Sequence, residues 1–299
     1  MTRYPTLTVG DSTFVWGSRT YVMGILNLTP DSFSGDGLLN WADWVTAALA
    51  QAQAMLAAGA DLLDVGGEST RPGSQPTPLD EELRRVVPVI QALASATRVP
   101  ISVDTAKAEV ARQALAAGAT IINDVWGFKH DPALAHVAAA HGAAVVLMHN
   151  RSRTQDAVQD AVLGGRYVGV HYTELLGEII NELQASVDLA LSAGVAPERI
   201  IIDPGLGFGK TVEQNFELLD RLNELRPLGY PLLVGPSRKS FTGHALQLPP
   251  DQRLEGTAAA VALAIARGCD LVRVHDVAAM RRVVVVADAT TRRSPRTAS

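Results

Sequence analysis

The chain has 299 residues, 47% of them hydrophobic and 19% charged, with a formal net charge of -5. That balance belongs to a soluble globular protein long enough for one large core, and it excludes a general nucleic-acid binder, because the phosphate backbone demands a positive surface. The one cysteine, Cys269, allows neither an internal disulfide nor a thiolate metal cluster, and it reads as a buried structural thiol ahead of an apolar run.

In chain order, the opening "MTRYPTLTVGD" carries no long apolar stretch, and no window approaches the roughly 18 consecutive apolar residues of a membrane span. The expectation is a cytoplasmic protein without membrane contact. "LTVGDSTFVWGSRTY" predicts a small hairpin within residues 1–20. Eight short runs follow: "YVMGIL" (21–26), "DLLDVG" (61–66), "PISVD" (100–104), "TIIND" (120–124), "AAVVLMH" (143–149), "RIIID" (199–203), "PLLVG" (231–235) and "DLVRV" (270–274). They are near-continuously apolar, as strands covered on both faces are.

Helical patterns separate them. Residues 41–56 place Trp41, Trp44, Val45, Ala48, Ala52, Met55 and Leu56 on one stripe behind Asn40, a candidate N-cap. Thr77 and Pro78 open a second helix, and Thr211 with Gln214 forms a capping-box pattern ahead of a third. Three helices end in the related phrases "LAAGAD", "LAAGAT" and "IARGCD", each with a glycine as the stop. Eight strands alternating with helices, with no break in composition, predict an α/β fold, a (β/α)8 TIM barrel over residues 1–292 whose bottom is closed by the N-terminal hairpin. A doubly wound open sheet is the alternative. The polar tail 293–299 is expected to fray.

In such a barrel the active site lies at the C-terminal ends of the strands. The strands lead there to Asn27, "GGESTRPG", Asp104, Asn123 with Asp124, His149, Asp203, "GPSRKSF", and Arg273 with His275. Isolated capping residues would explain one or two of these, but not a polar residue after every strand. The loops at 29–39 and 67–78 are long and rich in glycine and proline, and suit lids carrying Phe33, Asp36 and Arg71. "DPGLGFGKT" (203–211) suggests a phosphate loop, but Pro204 stands where its first glycine belongs, and Lys210 spoils the dinucleotide pattern. Asp203 is its more informative residue, and "KT" reads as the start of the next helix.

Taken together, "MGILNLTPDSFSGDG", "DVGGESTRPG", "SVDT", "INDVWG", "MH", "DPGLGFGKT", "GPSRKSF" and "VRVHDV" resemble the dihydropteroate synthases of the pterin-binding family, in the family's order over about residues 21–277. The resemblance implies a homodimeric barrel. Its reaction joins 4-aminobenzoate to 6-hydroxymethyl-7,8-dihydropterin diphosphate, with sulfonamides as competitive inhibitors. It places the pterin diphosphate on Thr70, Asp104, Asn123, Asp203, Lys239, Arg273 and His275. It places 4-aminobenzoate on Phe33, Arg71, Pro72, Phe208 and Ser240. Phe33, Asp36, Arg71 and Lys239 are its catalytic set, and Asn27 is the protein ligand of Mg2+.

The chemistry is consistent with these roles. A buried carboxylate takes two donors from the amide-guanidine edge of a pterin, and an amide both donates and accepts. Early C–O cleavage with Mg2+-assisted departure of diphosphate, then attack by the arylamine, requires no side-chain nucleophile. Bland readings stand beside these: Asp104 as a helix cap, His275 as a rim histidine, Phe208 as packing. His149 is expected to act from behind the contacting residues. A corrinoid methyltransferase on the same barrel shares Asp104, Asn123 and Asp203, but not "NLTPDSFSGDG", "STRPG" or "SRKS". A non-catalytic pterin-binding relative is expected to lack some of Arg71, Lys239, Arg273 and His275, and all four are present.

Overall fold

The computed structural model describes residues 4–28, 41–70, 74–168 and 170–292, with the side chains from 44 onward in the second of these stretches. Phe33, Asp36, Asn40, Arg71, Pro72 and the tail 293–299 lie outside the described residues.

Two short strands, β1 (Leu7–Val9) and β2 (Ser12–Phe14), pair antiparallel with Leu7 opposite Phe14. The barrel strands are β3 (Tyr21–Asn27), β4 (Leu62–Gly66), β5 (Ile101–Asp104), β6 (Ile121–Asp124) and β7 (Ala144–Met148). After a small antiparallel pair, β8 (Ala157–Val158) and β9 (Arg166–Tyr167), come β10 (Ile200–Asp203), β11 (Leu233–Val234) and β12 (Leu271–Val274). Eight parallel strands form one sheet in the order β10-β7-β6-β5-β4-β3-β12-β11. Among the described residues the ends meet through Ile202 alone, which bridges to Leu232 and donates its N–H to the carbonyl of Pro231 at 3.0 Å. The result is the expected TIM barrel with its N-terminal hairpin.

Around it lie α1 (Trp41–Ala57), α2 (Leu79–Ala96), α3 (Ala108–Ala116), α4 (Ala133–Ala140), α5 (Leu175–Ser192), α6 (Val212–Asp220), α7 (Ser240–Leu246), α8 (Leu254–Ala266) and α9 (Val277–Thr291). Pro78 sits at the N-cap of α2, one place earlier than the pattern suggested, and makes no side-chain cap. Thr211 and Gln214 do form the full capping box of α6. Gly59, Gly118 and Gly268 end their helices with φ near +95° to +115°, the left-handed geometry their repeated phrases predict.

Alternation along the strands divides the side chains into two layers. Val22, Leu26, Leu63, Val65, Val103, Ile122, Val145 and Ile202 join the helices in the larger core. Met23, Leu62, Ile121, Val146, Ile201, Leu233 and Leu271 form an inner core, which the hairpin's Leu7, Val9 and Phe14 and the adjoining Trp16 close from below. Trp16 stacks on Phe14 at 5.6 Å and meets Tyr21 edge-on. The lower half of the barrel is therefore solid, and its polar inward positions are left to the top.

Candidate active site

Two residues further along four of the strands, the inward positions become polar. Asp64 follows Leu62, Asn123 follows Ile121, Asp203 follows Ile201, and Arg273 follows Leu271. Side chains separated by more than a hundred residues thereby meet over an apolar floor. The guanidinium of Arg273 donates from Nε to Asp64 Oδ2 at 2.5 Å and from Nη2 to Asp104 Oδ2 at 2.6 Å. Asn123 Nδ2 donates to the same Asp64 oxygen at 3.0 Å, which fixes the amide so that its carbonyl oxygen faces the other way. Burial raises the pKa of Asp104 to about 7, Arg273 opposing and Asp64 reinforcing the shift.

Asp203, also buried, accepts the N–H of Gly205 at 2.7 Å. Burial raises its pKa, against the pull of the Lys239 charge. Lys239 lies at the N-cap of α7, donates to the carbonyl of Leu206, and stands 4.5 Å from the centroid of the Phe208 ring. Burial lowers its pKa to about 8. Ser240 begins α7 beside it. The turn carries Asp203 and Phe208, and Lys239 reaches it from the start of α7.

Across the mouth, His275 Nε2 lies 3.4 Å from Asn27 Nδ2, and its Nδ1 lies 3.0 Å from Ser237 Oγ. With Asn27 donating, Nε2 is the acceptor and Nδ1 carries the proton to Ser237. Asn27 Oδ1 then faces Gly66, where an added Cβ would lie 3.8 Å from it and 3.4 Å from Asp104 Cβ. Thr70 ends the described part of the segment after β4. That segment is braced from below. Buried Glu82 accepts from Thr105 Oγ1 at 2.6 Å and from Lys107 Nζ at 2.5 Å; Lys107 also pairs with Glu68, and Arg85 reaches the carbonyl of Gly67 at 2.8 Å.

The structure therefore brings Asn27, Asp104, Asn123, Asp203, Phe208, Lys239, Ser240, Arg273 and His275 to the rim of one barrel. Two sequence-based expectations change. Asp124 does not face the mouth: its carboxylate accepts the N–H groups of Trp126 at 2.9 Å and Phe128 at 2.6 Å, holding the β6–α4 turn. Lys210 is not merely the start of α6; it is buried beneath the glycine-rich turn. The sequence reading also passed over Asp64 and Ser237. Strict alternation from Leu62 would have placed Asp64 inside the barrel, whereas nothing local marks Ser237.

No group of three or more His, Cys, Asp or Glu side chains suited to a metal occurs among the described residues. The single amide oxygen of Asn27 fits only a hard cation held mainly by substrate oxygens.

An inward ring of carboxylates, amide and guanidinium on a closed apolar floor is the arrangement of a TIM-barrel enzyme with its site at the C-terminal ends of the strands. Residues 23–275 match the pterin binding enzyme family, and the chain belongs to it. A dihydropteroate synthase of Synechocystis is 51% identical over 286 residues, 95% of each chain. The Xanthomonas albilineans dihydropteroate synthase with 4-aminobenzoic acid superposes with a TM-score of 0.86 at 42% identity, covering 98% of this chain and all of that one. The Yersinia pestis synthase with a sulfonamide drug complex gives 0.85 at 41%, covering 96% and 98%. Within its family the chain thus stands among the dihydropteroate synthases, and it is a transferase.

Proposed function

We propose that the barrel mouth joins 4-aminobenzoate to the methylene carbon of 6-hydroxymethyl-7,8-dihydropterin diphosphate, forming 7,8-dihydropteroate and diphosphate. The observation that carries this reading is the inward cluster of Asp64, Asp104, Asn123 and Arg273 facing Asp203 across the same floor. Asp203 takes the paired donors of the pterin edge, and Asn123 and Asp104 take the opposite side. Arg273 has one N–H each of Nε and Nη2 committed to carboxylates, so Nη1 and the second N–H of Nη2, with the neighbouring His275, remain for the diphosphate. Thr70 adds to that subsite.

The C–O bond breaks first, its electron pair leaving on the diphosphate oxygen while the electron-rich dihydropterin carries the positive charge. The arylamine nitrogen then forms the C–N bond and loses a proton. Mg2+, when bound by Asn27 together with the substrate, supplies charge neutralisation at the diphosphate. Phe208 packs on the aminobenzoate ring, and Ser240 holds its carboxylate. Phe33, Asp36, Arg71 and Pro72 complete that subsite on sequence grounds. A sulfonamide occupies the same place, a reading supported by the Yersinia complex.

No helix among the described residues is long and apolar enough to cross a membrane, and we place the chain in the cytoplasm. The homodimer is supported by the exposed apolar side chains Phe216, Leu246, Leu254 and Leu263 on the packed helices α6, α7 and α8.

The decisive experiment follows dihydropteroate formation from both substrates with Mg2+. No aminobenzoate-dependent product would sink the reading. Asp203→Asn should weaken pterin binding about 10- to 100-fold by calorimetry, while Phe208→Ala should chiefly raise the KM for 4-aminobenzoate. Unchanged pterin affinity in the Asn variant would remove Asp203 from its role.

A further inference from the structure

Lys210 is 2% exposed, and three polar groups surround its Nζ: His149 Nδ1 at 2.9 Å and the carbonyls of Gly205 and Phe208 at 3.0 Å each. Both carbonyls accept from Nζ whether it carries two hydrogens or three, and His149 Nδ1 either accepts from an ammonium or donates to a neutral amine. The other ring nitrogen, Nε2, lies 3.2 Å from Glu182 Oε2, within ion-pair range though off hydrogen-bond alignment. Glu182 is gripped in turn by Arg151 Nε at 2.7 Å. Burial lowers the pKa of His149 to about 3 and leaves it neutral; burial also holds Lys210 well below its ordinary value, with Lys239 and Arg151 reinforcing and Asp203 and Glu182 opposing the shift.

The two carbonyls that Lys210 holds belong to the first and last residues of the 205–208 turn. Gly205 donates to Asp203 Oδ1, and its carbonyl also accepts the N–H of Phe208 at 3.1 Å. One nitrogen is thus tied to both ends of the segment that separates a carboxylate from an aromatic ring. From the other side the turn lies directly on the chain after β7, with an added Cβ at Gly205 falling 1.9 Å from the carbonyl oxygen of His149.

We propose that Lys210 is a positioning residue for both substrates, holding the 205–208 turn so that the Asp203 carboxylate and the Phe208 ring keep a fixed separation, with His149 fixing its Nζ. The proposal rests on the assignment of Asp203 to the pterin and Phe208 to 4-aminobenzoate. A lysine that served stability alone would lower Tm when replaced and leave both substrates' affinities unchanged at temperatures below the transition.

The test uses Lys210→Met, which keeps chain length and removes the donors, in the wild-type and Phe208→Ala backgrounds. The KM for 4-aminobenzoate should rise about 10- to 100-fold in the first. In the second background the same substitution should add little, since it acts through the ring already removed. An unchanged KM, or an undiminished effect in the Phe208→Ala background, would overturn the proposal. If Lys210→Met does not fold, His149→Leu removes the ring partner of Nζ and leaves the lysine, and it should raise the same KM by a smaller factor; no rise would overturn it equally. Calorimetric binding of the pterin diphosphate is measured alongside, and weakened binding in either variant is expected whether or not product forms. Absence of product from the wild type would strike at the synthase reading alone.

Discussion

Two charges at the barrel mouth sit in environments that move them in opposite directions. Burial raises Asp104 to about 7 and lowers Lys239 to about 8. Asp104 therefore gains a proton as pH falls below about 7, losing its charge toward Arg273. Lys239 loses its charge as pH rises above about 8. The kcat/KM of the enzyme for the pterin diphosphate should trace a narrow bell with limbs near these values, since that ratio reports the free enzyme. Lys239→Arg should carry the alkaline limb upward beyond the measured range, because a guanidinium stays protonated there. An alkaline limb that stays put in that variant would exclude Lys239 as its source. Asp64 shows what a single carboxylate contributes through its neighbours: one oxygen sets both the Arg273 guanidinium and the Asn123 amide.

At the scale of elements, the glycine-rich turn and α6 behave as one unit. Thr211 caps the helix, and Asn215 from its first turn accepts the N–H of Gly207 at 2.5 Å. Thr211→Ala should cost about 1 kcal/mol, read as a lower unfolding midpoint in urea with little change in kcat. Gly205→Ala should be far worse, because a Cβ meets backbone at 1.9 Å and the residue lies at φ +72°. The elements were largely legible in the sequence: apolar runs gave the strands, repeated glycine stops gave the helix ends, and a strand's end gave Asp203. What escaped was relational. The pattern "GKT" reads locally as a helix start, and nothing in it reveals that Lys210 folds back under its own turn to reach His149, 61 residues earlier. Asp124 misled for the converse reason, since adjacent polar residues on a strand face opposite sides. The β8–β9 pair arises from "SRTQDAVQDAVLGGRY", whose short runs carry no periodicity strong enough to announce strands.

For the whole molecule, chemistry and stability occupy opposite ends of the barrel. Trp16 closes the bottom, 1% exposed against Phe14 and Tyr21. Trp16→Ala should destabilise the fold by about 3–5 kcal/mol and leave the KM for both substrates unchanged, as unfolding and initial-rate measurements would show; a changed KM would mean that the plug shapes the mouth. The barrel also has a weak stave. Where β10 meets β11, Ile202 alone stitches the circle, and the residues on either lip of this slit lead directly to Asp203 and Lys239. The Lys239 side chain reaches the carbonyl of Leu206 like a cross-tie over the gap. On the proposed roles of Asp203 and Lys239, a pterin held from both lips would become a second tie, completing the hoop that the backbone leaves nearly open. Amide exchange at Ile202 should slow on pterin binding more than at Val103 on the opposite wall, which makes substrate a structural member of the barrel as well as its cargo.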